Sequence, residues 1–111
     1  MNPYKNKGNI RTFSKDVDPL SLVWHSDRED RMIEVLEGKG WKVQLDNRLP
    51  LTLTKGDCIF INEGSVHRIH KGTTDLKIKC LVIVEMGEYS HHVYVKIKKI
   101  VHVILVLVNK N

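Results

Sequence analysis

Gly56-Asp57-Cys58-Ile59-Phe60-Ile61-Asn62-Glu63-Gly64-Ser65-Val66-His67 sets a four-residue apolar run between two glycine turns and ends on a histidine. A run that short, rich in β-branched and aromatic residues and bounded by turn residues, reads as a strand over Cys58–Ile61. Val66–His70 reads as the next strand, closed by Lys71-Gly72. The same texture continues upstream. Leu49–Leu53 ends at Lys55-Gly56-Asp57, and Trp41–Leu45 runs into the hairpin turn Asp46-Asn47. Arg31–Leu36 ends at Glu37-Gly38-Lys39-Gly40, and Leu20–Trp24 reads as the first strand. Downstream, Leu76–Val84 is a long strand, followed after Met86-Gly87 by His92–Ile97 and Val101–Val108. Asp27–Arg31 reads as a charged loop or a single helical turn, and Met1 to Gly8 as a loose terminus. Many short strands with regularly spaced turns predict an all-β sandwich or barrel.

The 111 residues make one domain of ordinary globular composition, with 41% hydrophobic and 28% charged residues. The core is expected over about residues 20–85. Residues 86–111, aliphatic and poor in turn residues, suit additional strands at an edge or a homodimer interface. Net charge is +5, with 18 Lys and Arg against 13 Asp and Glu. That balance favours anionic ligands, but the charge is scattered. Its one cluster, Lys96, Lys98 and Lys99, reads as a solvated strand face, and no nucleic-acid partner is expected. Cys58 and Cys80 lack CxxC spacing and read as free thiols of a reducing compartment. Met1 to Ser14 has no apolar signal core, and Ile100–Val108 is far shorter than the ~20 residues of a membrane-spanning helix. A cytoplasmic protein without membrane contact is the expectation.

The chemistry concentrates in His25, Asp27 and His67. On an extended segment His25 and Asp27 share a face. Two imidazoles and a carboxylate form a donor set that binds Fe(II) with open positions, and it also suits Mn, Ni or Zn. Arg31 stays protonated and cannot ligate. Facing inward with Ile33 and Val35, it can clamp a carboxylate or phosphate of a bound molecule. Gln44 is a candidate polar group of the pocket. Trp24 and Trp41 read as core or rim residues, either of them able to stack on a ligand, with Trp41 a candidate for the binding site. His70 falls on the face opposite His67, and His91, His92 and His102 read as non-ligands.

Two segments resemble the sequence motifs of the cupin superfamily. One runs Gly56, five residues, Asn62-Glu63-Gly64, two residues, His67, and departs from the family pattern only where Asn62 replaces proline. The other runs His25-Ser26-Asp27, three residues, Arg31, six residues, Gly38. There Asp27 stands where the family has a second histidine, and Arg31 stands where it has a metal-binding glutamate. The resemblance covers Leu20 to about Glu85. It implies a cupin-type antiparallel barrel, a jelly roll or double-stranded β-helix, with an interior site retaining His25 and His67 and with Asp27 as a replacement ligand.

Three functional readings follow. One is a metal-binding cupin with oxygenase- or isomerase-type capacity. Another is a metal-free module that binds a small, anionic metabolite. The third is an interaction protein whose C-terminal strands extend a partner's sheet, compatible with either of the others and with the homodimers common among cupins.

Overall fold

A computed structural model describes residues 2–83. The expected strands over 92–97 and 101–108, the lysine cluster, His91, His92, His102 and the dimer interface all lie outside the described residues.

Alternation of apolar and polar residues produces eight strands: β1 (Tyr4–Lys7), β2 (Ile10–Phe13), β3 (Asp30–Glu37), β4 (Lys42–Leu45), β5 (Leu51–Thr52), β6 (Cys58–Ile61), β7 (His67–His70) and β8 (Leu76–Ile83). They form a five-stranded sheet in the order β1-β2-β8-β3-β6 and a three-stranded sheet in the order β5-β4-β7. Every pairing is antiparallel. The only helical element among the described residues is a 3-10 turn at Pro19–Ser21. The fold is therefore the all-β antiparallel one expected. Among the described residues no helix is long and apolar enough to cross a membrane.

The registers fix which side chains meet. Ile33 lies opposite both Ile59 and Cys80, Arg31 opposite Ile61 and Val82, and Val35 opposite Ile78. In the smaller sheet Val43 lies opposite Ile69, and Leu45 opposite His67. These inward rows enclose a core of Phe13, Leu22, Val35, Trp41, Val43, Leu53, Leu76 and Ile78. Packing is densest at one end of the sandwich. There Trp41 is wholly buried and donates its Nε1–H to the Thr74 carbonyl at 2.6 Å. Gly72 sits against it so closely that an added Cβ would overlap the Lys39 carbonyl and the Trp41 backbone, so only glycine fits.

Two expectations fail. Leu20–Trp24 is not a strand. Asp18 accepts a hydrogen bond from the Leu20 amide at 3.0 Å, and Pro19 presets the 3-10 turn, so local capping overrides the apolar run. Nor is Met1 to Gly8 wholly loose. Tyr4–Lys7 pairs with Ile10–Phe13 across a two-residue Gly8-Asn9 turn, in which Gly8 takes φ +62°. The Tyr4 ring then packs edge-on to Phe13 at 5.3 Å, and the Arg11 guanidinium lies 3.8 Å over it. The folded body thus begins well before residue 20.

Candidate metal centre

At the end of the sandwich away from Trp41, backbone hydrogen bonds bring the two sequence segments together. His25 and His67 form an isolated antiparallel bridge, with His25 N–H donating to the His67 carbonyl at 3.0 Å and His67 N–H to the His25 carbonyl at 2.9 Å. Their rings stand 4.4 Å apart. One turn further, Gly64 N–H donates to the Asp27 carbonyl at 2.9 Å. Gly64 has φ +77°, a conformation that side chains resist, and this explains why the loop needs glycine there. The two motifs therefore pin each other's backbone, and the site is assembled before any side chain is considered.

The side chains converge as the sequence predicts. One ligand atom from each of His25, Asp27 and His67 lies within 4.8 Å of the others. Each imidazole is oriented by a carbonyl two residues earlier: His25 Nδ1 lies 3.0 Å from the Val23 oxygen, and His67 Nδ1 2.8 Å from the Ser65 oxygen. A carbonyl can only accept, so Nδ1 carries a proton on both rings, and in the neutral imidazole Nε2 is the atom left to ligate. His67 Nε2 then faces Asp27 Oδ2 at 3.4 Å, lone pair toward carboxylate. That juxtaposition calls for a cation or a proton between them. The outer-shell carbonyls are the partners that metal-bound histidines use to fix tautomer and ring orientation. The residues present fit a divalent metal.

Arg31 lies beside this trio, and its Nη1 is 3.4 Å from Asp27 Oδ1 while its Nη2 donates to Glu29 Oε1 at 2.8 Å. Burial lowers its pKa, but the Glu29 hydrogen bond and the charges of Asp27 and Glu29 outweigh that and raise it, so the cation is fixed. Its Nε is buried without a partner among the described residues. Glu29, which the sequence reading placed in a surface loop, thus holds Arg31 in position.

The remaining candidates separate cleanly. Arg31 lines the interior cavity together with the trio, whereas Gln44 and Trp41 do not. Gln44 alternates with inward Val43, and its amide accepts from His70 Nε2 at 2.8 Å and donates to the Arg48 carbonyl, outside the barrel. Trp41 is core and offers no face to a ligand. Trp24 is 43% exposed rather than core, with the Arg68 guanidinium 5.7 Å over its ring. Cys58 and Cys80 are free and half-buried, and burial pushes both thiols up. Arg11 and Tyr4 also line the cavity, and only the unread first hairpin hid them. The cavity has a volume of about 360 Å³.

His67 gives the site a pH signature. Only 5% of the residue is exposed. Desolvation lowers its pKa, helped by the charges of His25 and Arg31 and opposed by the Ser65 hydrogen bond and by Asp27. The unfolded chain therefore takes up this proton first as pH falls. Chelator-treated protein should hold its His67 contribution above about pH 6.5 and lose stability below it, by at most about 1.4 kcal/mol per pH unit for this proton. Urea denaturation at pH 7.5 and 5.5, for wild type and His67→Gln, checks this. The variant should show a shallower fall.

No family profile matches the chain, and no curated protein matches it. Among solved structures it is similar to a protein from Neisseria meningitidis, at 14% identity over 73% of this chain and 80% of that one, with a TM-score of 0.47. It is also similar to a cupin domain from Bordetella pertussis, at 12% identity over 73% of this chain and 90% of that one, with a TM-score of 0.49.

Proposed function

We propose that the chain is a small cupin that holds a divalent metal through His25, Asp27 and His67 and binds a small molecule beside it. The observation that carries this reading is the convergence of one donor atom each from His25, Asp27 and His67 within 4.8 Å, with Nδ1 of both rings turned to a backbone carbonyl. Nitrogen and oxygen donors of this kind suit Fe, Mn, Ni or Zn. Bound there, such a metal would act as a Lewis acid or redox centre for oxygenase- or isomerase-type chemistry. The chain's own residues would orient the ligand, with Arg31 as the fixed cation beside the metal.

One observation favours a metal-free module instead. Asp27 lies between Arg31 and His67, and a proton on His67 Nε2 would complete that bridge without a metal. Elemental analysis of untagged protein separates the two readings. About one equivalent of Fe, Mn, Ni or Zn per chain is expected. Absence of metal, before and after reconstitution, would leave the trio as a hydrogen-bonding site for the ligand.

A further inference from the structure

The cavity wall behaves differently from the rest of the core. Ile33, Ile59 and Ile69 point inward from both sheets and yet stay only partly buried. All three line the cavity, whereas the fully buried Trp41 and Val35 do not. Leaving apolar area in contact with water disfavours the folded state by about 25 cal/mol per Å². The apolar body of a ligand that covers this area recovers that free energy. Apolar side chains make up most of the wall, among them Ile33, Ile59, Ile61, Ile69, Val43 and Leu53. The polar lining comprises His25, Asp27, His67 and Arg31 at one end, with Arg11, Tyr4, Ser21 and Asn2 elsewhere on the wall.

We infer that the ligand of this site is a monocarboxylate with an apolar, medium-length body, its head at the metal and Arg31 and its tail among the isoleucines. The head placement rests on the metal reading above, while the tail placement rests on the wall alone. At the liquid-water share of about 30 Å³ per heavy atom, 360 Å³ accommodates an octanoate-sized molecule. This narrows the anionic metabolite expected from charge and sets aside sugar phosphates and nucleotides.

Isothermal titration of metal-loaded protein with acetate, butanoate, hexanoate and octanoate, with glucose 6-phosphate and AMP as polar comparators, tests the inference. Affinity should rise about fourfold per methylene, with the comparators no tighter than acetate. Affinity that does not change with chain length, or a comparator that binds more tightly than octanoate, overturns it. The same series on chelator-treated protein, with 1-octanol added, separates the two readings. Chain-length dependence that persists in protein unable to hold metal keeps the apolar tail site and removes the metal. Flat affinity in a metal-holding protein does the reverse. Ile59→Phe, or Ile69→Phe if the first does not fold, should cut octanoate affinity at least tenfold. Unchanged affinity in a folded variant would put the tail elsewhere and overturn the assignment.

Discussion

His67→Ala should abolish stoichiometric metal while leaving the β-sheet spectrum intact. On the proposed reading His67 supplies one of three donors, and loss of an outer-shell partner alone typically costs 10–100-fold in metal affinity, so loss of a ligand should cost more than about a hundredfold. The fold should survive because the ties at this position run through the backbone. The His25–His67 bridge uses only main-chain N–H and C=O groups, which alanine retains. His25→Ala should behave alike. His70→Ala should keep its metal, because His70 lies on the opposite face of β7 and bonds Gln44 outside the barrel. Metal analysis and circular dichroism on the three variants give the result. Retained metal in His67→Ala would sink the centre, and loss of sheet content would make that histidine a structural residue.

Trp41→Ala should be the most destabilising single change among the described residues. Trp41 is the largest fully buried side chain, and truncating a buried Trp costs about 3–5 kcal/mol. The Thr74 carbonyl also loses its donor. Trp24→Ala should cost far less, near or below about 1 kcal/mol, because that ring is substantially exposed. Urea denaturation followed by circular dichroism separates the two tryptophans. Equal costs would contradict the packing gradient that leaves the cavity at the opposite end.

The two segments that carry the site were legible because their signals are local. Glycines at turn positions and an apolar strand between them place His67 at a strand start, as observed. Alternation put Arg31, Ile33 and Val35 on one face, which the structure turns toward the cavity at Arg31 and Ile33, and Gly64 supplied the turn that reaches Asp27. The failures have physical causes. Periodicity counts apolar residues and does not weigh a cap, so it read Leu20–Trp24 as a strand although Asp18 and Pro19 wind it into a turn. The first hairpin is polar on most positions and gains its stability from Tyr4 and Arg11 packing onto neighbours that pattern alone does not reveal. Gln44 was one residue out of phase. A side chain beside an inward valine faces outward, and the Val43–Ile69 register decides which of the two points in. The cavity was invisible, because a sequence shows which residues are apolar and not whether two sheets meet between them.

The bridge between His25 and His67 joins positions about forty residues apart, with four of the eight described strands, β3 to β6, strung between them. Contacts this distant form only after the intervening strands have paired, since loop closure must come first. A growing or unfolded chain therefore presents scattered histidines and no organised chelate. With the proposed metal, selection would be deferred to the folded state, where the backbone has already set the spacing between donors, so the identity of the ion would be decided by cavity geometry and supply rather than by which cation first meets the nascent polypeptide.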